Sequence, residues 1–111
     1  MAWIFLNDSM FSIVENRNDK TGLVVRARIK GDLGKVFDGE EIESADHTNY
    51  DYRFRMFLSK TYVAEVMRLE MLGINYDNFK NSVDKRDTER HKKYVQVHGV
   101  MASLQHDNYP F

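Results

Sequence analysis

Polar and apolar residues alternate through much of the first half of the chain, and apolar residues recur at helical spacing in the second. The alternation is sharpest over residues 50–58. There Tyr50, Tyr52, Phe54, Met56 and Leu58 fall on one side, and Asp51, Arg53, Arg55 and Phe57 on the other. A period of two is that of a half-buried strand. Ser59 comes next, and a hydroxyl there can accept a hydrogen bond from a free N–H two or three residues on, as helix N-caps do. From Tyr62 the apolar positions are Tyr62, Val63, Val66, Met67 and Leu69, a helical stripe. A strand that runs straight into a helix forms the corner of the predicted fold.

Upstream, residues 3–6 and 9–14 are β-prone runs separated by Asn7-Asp8. Asn and Asp tolerate the positive φ angles of a tight turn, so these runs predict a hairpin. A two-residue turn sets Phe5 against Met10, Ile4 against Phe11 and Trp3 against Ser12. One side is then Ile4, Leu6, Phe11 and Ile13, and the other Trp3, Phe5, Met10 and Val14. Residues 15–22 read as a polar loop, because their Asn, Asp and Gly content stops a strand. Residues 23–30 read as a strand, with Leu23, Val25, Ala27 and Ile29 on one face and Val24, Arg26, Arg28 and Lys30 on the other.

Residues 31–37 have room for one helical turn capped by Asp32, and residues 38–49 form an acidic loop expected to be mobile. Gly73 is placed to end the central helix in the left-handed region. Residues 74–83 form a connector with a helical turn at Asn78-Phe79. Asp87 can start a last helix whose stripe is Tyr94, Val97, Val100, Met101 and Leu104. Gly99 lies inside it, at a cost of roughly 1 kcal/mol against Ala. In the tail, Tyr109 and Phe111 are expected to dock back. The expected architecture is a single α+β domain over residues 1–111. It has an antiparallel sheet of about four strands with two main helices packed on its aliphatic face.

Composition narrows the chemistry. Of 111 residues, 42% are apolar, which supports a packed core, and none is cysteine. Disulfides, thiolate metal sites and cysteine nucleophiles are therefore excluded. A net charge of −1 argues against coating DNA by bulk charge and equally against acidic mimicry of it. No apolar run approaches the roughly 20 residues of a membrane span. Residues 2–6 are apolar but short and lack a basic leader, so no signal peptide is expected and the chain reads as soluble and cytoplasmic.

The histidines do not form a metal site on their spacing. His91 and His98 share a side of the last helix but stand about 10.5 Å apart along it, too far for one ion. They read as histidines at the border of the core. His47, beside Asp46, and His106 gain no partner. Glu40, Glu41, Glu43 and Asp46 lack the order of a calcium loop and read as a solvated acidic segment. Glu70 falls in the stripe of the second helix and is expected to reach water. Phosphate-loop, dinucleotide and nucleophile-elbow motifs are absent. No catalytic residue, metal or cofactor is assigned.

One constellation remains. Arg26, Arg28 and Lys30 alternate on one predicted strand, and Arg53 and Arg55 on another. With the aliphatic sides turned to the helices, all five cations emerge on the opposite face, where the first hairpin also places Trp3 and Phe5. Arginines beside aromatics on an open sheet suit bases and phosphates. They suit equally an ordinary polar face whose arginines spread over aromatic neighbours.

Several short segments carry a resemblance. They are Trp3-Ile4-Phe5-Leu6-Asn7-Asp8, Val24-Val25-Arg26-Ala27-Arg28 followed by Gly31-Asp32, Tyr50-Asp51-Tyr52-Arg53, Asn78-Phe79-Lys80, and Arg90-His91 ahead of Tyr94. Together they resemble a group of short bacterial and prophage proteins, over nearly the whole chain. No activity, cofactor or catalytic residue carries over from that group. The resemblance implies a non-catalytic binding protein, an anti-defence inhibitor of the anti-CRISPR kind that occupies a surface on a host protein. The alternative is nucleic-acid or nucleotide binding through Arg26, Arg28, Arg53 and Arg55 with Trp3 and Phe5.

Overall fold

The computed structural model describes residues 1–44 and 51–108. The chain divides into two compact units, Met1–Asn75 and Tyr76–Phe111. The first holds five antiparallel strands: β1 (Ala2–Leu6), β2 (Ser9–Asn16), β3 (Asp19–Ala27), β4 (Ile42–Glu43) and β5 (Phe54–Ser59). Their spatial order is β1-β2-β3-β5-β4. Helix α1 (Lys60–Leu72) follows β5, and the second unit carries α2 (Phe79–Ser82) and α3 (Thr88–Asn108). The protein is therefore α+β, with an antiparallel sheet and two main helices. The expected four strands become five because Ile42 and Glu43 pair with Arg55 and Phe54. Tyr50, Asp46, His47, Tyr109 and Phe111, with the expectations attached to them, lie outside the described residues. No helix among the described residues is long and apolar enough to cross a membrane.

The first hairpin has the expected register, with Trp3 opposite Ser12, Ile4 opposite Phe11 and Phe5 opposite Met10. Its turn is different: no described residue other than glycine has positive φ, so Asn7 and Asp8 turn the chain without entering the left-handed region. The polar loop expected over residues 15–22 is a second hairpin, with Asn16 opposite Asp19. Local hydrogen bonds tighten it. The Asn18 N–H donates to Asn16 Oδ1 at 3.0 Å, and the N–H and hydroxyl of Thr21 donate to Asp19 Oδ1 at 2.9 and 2.7 Å. These bonds hold the Asp19 carboxyl below the usual carboxylate range. Turn-forming side chains here bend the chain within a ladder instead of ending it. At its other end β3 stops at Ala27, so Arg28, Ile29 and Lys30 lie beyond the strand and Ile29 is exposed. Gly31, with φ of 90°, makes the bend, a conformation that side-chain-bearing residues avoid.

The core gathers Phe11, Val25, Ala27, Phe54 and Met56 from the sheet, Leu33 and Phe37 from the segment after β3, and Val63 from α1. Burial of one such large side chain contributes roughly 1.5–3 kcal/mol. Phe37 meets Phe11 edge-on at 5.3 Å and lies 6.4 Å from Tyr62. Ser59 caps α1 as expected, accepting from the Tyr62 N–H at 3.1 Å. Tyr62, Val63, Val66 and Met67 pack on the core, but Leu69 is exposed because the last turn of α1 lies outside it. Glu70 is half-buried. Gly73 keeps a right-handed φ of −83°, and its N–H bonds to the Leu69 carbonyl, so no left-handed cap forms.

Asp32 flanks a 3-10 turn (Leu33–Lys35), yet its side chain makes no capping hydrogen bond. It is fully buried and accepts instead from the Met10 N–H at 3.1 Å. Pairing between β2 and β3 ends at Ser12 and Arg26, so the N–H of Met10 reaches past the last β3 residue. The carboxylate stands in for the missing strand. Lys35 lies 3.6 Å from Asp32 and donates to the Asp8 carbonyl at 2.7 Å, tying the same segment to the first turn.

In the second unit Asn78 caps α2 by accepting from the Asn81 N–H at 3.2 Å, and Asp87 caps α3 by accepting from the Arg90 N–H at 3.3 Å. Both starts were readable in the sequence. Tyr94 is buried against Phe79, with ring centres 5.7 Å apart, and its hydroxyl accepts from Arg90 at 3.1 Å. The rest of the expected stripe is not buried: Val97, Val100, Met101 and Leu104 are exposed. His91 is half-buried, whereas His98 is exposed and borders no core.

Asp32→Ala should lower unfolding stability by about 1–3 kcal/mol, because it leaves the Met10 N–H buried without an acceptor. Asp32→Asn keeps an acceptor and should lose less. Urea unfolding measures both, and an alanine variant as stable as the parent would refute the role given to this carboxylate.

Candidate functional site on the outer face of the sheet

Residues directly opposite one another in paired strands share a face. The registers therefore align Trp3, Ser12, Arg26, Arg55 and Ile42 in one row across all five strands, on the side away from the core. A second row joins Val14, Val24 and Phe57, and a shorter one Phe5 and Met10. Arg26 and Arg55 emerge on the same face because β3 and β5 both alternate with their aliphatic residues turned to α1. Trp3 and Phe5 join them through the hairpin register, as the spacing predicts.

The arginines do not project freely. The Arg26 guanidinium donates to Ser12 Oγ at 2.8 Å and lies 4.5 Å from the ring centre of Tyr52. Arg28 lies 4.1 Å from the same ring. Tyr52 is buried, held against two guanidinium groups whose positive charge is attracted to the face of its π-system. Strand β5 begins only at Phe54, so Tyr52 does not continue the aliphatic side that strict alternation assigned to it. The Arg26 Nε is buried and has no hydrogen-bond partner among the described residues. Arg53 bridges Glu43 at 3.0 Å, both half-exposed, a pair of small energetic weight. Arg28 and Lys30 are exposed beyond the end of β3, and Phe5 is half-buried.

What stays open on this face is largely apolar. Trp3 is 58% exposed, Phe57 50% and Ile42 41%. Sequence reasoning placed Phe57 on the correct side without counting it in the site, and it missed Ile42 and Tyr52. Phe57 could have been found from its alternation with Arg53 and Arg55. Tyr52 could not, because its departure from the strand depends on tertiary contact with Arg26 and Arg28. The acidic segment contributes support: Glu43 holds Arg53, and Glu41 accepts weakly from the Gly31 N–H at 3.4 Å. No group of three or more His, Asp or Glu among the described residues is placed to hold a metal ion.

Comparison with protein-family models, with curated proteins and with solved structures returned no match.

The stacking orders the arginines by structural weight. Arg28→Ala combined with Arg55→Ala should leave unfolding within about 1–2 kcal/mol of the parent, since changes on an outward face seldom cost more. Arg26→Ala should cost more than Arg28→Ala, because it also uncovers Ser12 and removes its hydrogen bond. Thermal unfolding of the variants gives the order, and the reverse order would show that Arg26 does not cover this face.

Proposed function

We propose that this chain is a non-catalytic binding protein whose outer sheet face covers a surface on a partner protein. The observation that supports this best is the exposure of Trp3, Phe57 and Ile42 around partly buried arginines. A one-sided sheet ordinarily turns polar side chains to water. Aromatic residues and arginines with few lysines or carboxylates are instead the composition of interface centres. Arg26 and Arg28 are pre-positioned by Tyr52, which reduces the side-chain entropy lost on binding. The narrower reading, a phage-type anti-defence inhibitor acting on a host protein in the cytoplasm, is supported by the sequence resemblance alone.

Binding of nucleic acid or a nucleotide is the second reading, supported by exposed Arg28 and Lys30 and by exposed Trp3. It is the weaker one. Arg53 is matched by Glu43, Arg26 and Arg28 lie over Tyr52, and the chain has a net charge of −1. Stacking leaves the guanidinium charge in place, but of these cations only Arg28 and Lys30 are both exposed and without a carboxylate partner among the described residues, a small number for counterion release.

Capture from a bacterial lysate with and without nuclease separates the two readings. A protein partner retained after nuclease treatment supports the first. That partner should bind at least about tenfold more weakly to Trp3→Ala with Phe57→Ala, as expected when central aromatic anchors are removed. Partners lost with the nucleic acid, together with a salt slope that falls by about one unit per removed arginine contact, would favour the second. Capture of neither class would count against both.

A further inference from the structure

Helix α3 is long, yet several of its residues favour helix poorly. Val95, Val97 and Val100 are β-branched, and Gly99 sits in the middle. Helices of such composition persist in water chiefly by burying an apolar face. Tyr94 has found cover against Phe79, but beyond it Val100 is 69% exposed, and Val97, Met101 and Leu104 are exposed with it. Tyr94, Val97, Met101 and Leu104 are separated by steps of three, four and three residues. Steps of three and four residues fit a coiled-coil seam, which Val100 widens on one side.

Charge on the flanks selects the occupant. Lys93, Val100 and Asp107 recur every seven residues along one side of the seam, and His91, His98 and Gln105 along the other. Laid antiparallel, a second α3 sets Val97 against the partner's Met101, while Tyr94 stays covered by Phe79 within its own chain. Lys93 then faces the partner's Asp107, and Val100 meets the partner's Val100. A parallel pair would instead set Lys93 against the partner's His98 and Val100 against the partner's Gln105, so Lys93 and Asp107 would not meet. The helix macrodipoles also favour the antiparallel arrangement. Among the described residues Lys93 makes no ion pair, and Asp107 has only His106 near it, at 3.9 Å. A surface complementary to itself under a two-fold rotation is what a symmetric dimer requires.

We propose that α3 is a self-association helix. Two copies of this chain pair through an antiparallel α3–α3 seam of Val97, Val100, Met101 and Leu104, closed at each end by Lys93 with the partner's Asp107.

Sedimentation velocity of the full chain from about 1 to 100 µM tests the pairing, because dimer stability depends on protomer concentration. A dimer should form at the upper end, and Met101→Lys should raise its dissociation constant by about tenfold or more. Lys93→Glu and Asp107→Lys should each weaken it, and the two together should restore it, which a merely misfolded variant could not do. The chain has no cysteine, so single thiols report orientation cleanly. Val100→Cys should give a covalent dimer with a short bis-maleimide. Leu104→Cys should not, since an antiparallel pair sets those positions about 15 Å apart along the axis. A monomer throughout the range, a dimer indifferent to Met101→Lys, or crosslinking at Leu104→Cys instead of Val100→Cys would overturn the proposal.

Discussion

Strand β3 is paired on both sides, and its register settles which residues become core and which become surface. Val25 lies opposite Ile13 and Met56, and Arg26 lies opposite Ser12 and Arg55. Because side chains alternate strictly, a slip of one residue would carry Arg26 inward and Val25 outward. A buried unpaired guanidinium is far more costly than any single lost contact. The aliphatic face and the arginine face are thus two results of one constraint. Asp32 extends that constraint past the end of the strand by taking the Met10 N–H that β3 is too short to reach.

On the outer face the same arginines have a structural use. Two of them flank Tyr52, and one seals Ser12 from water. Their contribution includes packing, and exposed Trp3, Phe57 and Ile42 share the face with them. Arginine suits this position better than lysine, since its planar group can stack on a ring while still donating hydrogen bonds.

Much of the sheet was readable in the chain. The hairpin register, the shared face of Arg26 and Arg55, the cap at Ser59, the helical turn at Asn78-Phe79 and the helix start at Asp87 all follow from local pattern. The failures have a common physical origin in long-range contacts. Asp32 is a plausible cap by type, but a distant amide without a partner claims it. Tyr52 matches the strand period, but two cations draw it off. The residues after Glu15 look like a loop because turn-forming side chains bend a ladder as readily as they end one. Leu69 and the stripe of α3 follow helical spacing, yet spacing says which residues share a face and nothing of what covers it.

The connection from Arg28 to Arg53 has a consequence for the order of assembly. Strands β1 to β3 are joined by turns of two residues and can form a meander from neighbouring segments alone. That meander is one layer, with Phe11, Val25 and Ala27 bare on its underside until β5 and α1 arrive. During synthesis the segment that completes the core leaves the ribosome after the segment that needs it. The interval is therefore the aggregation-exposed stage of this chain's folding.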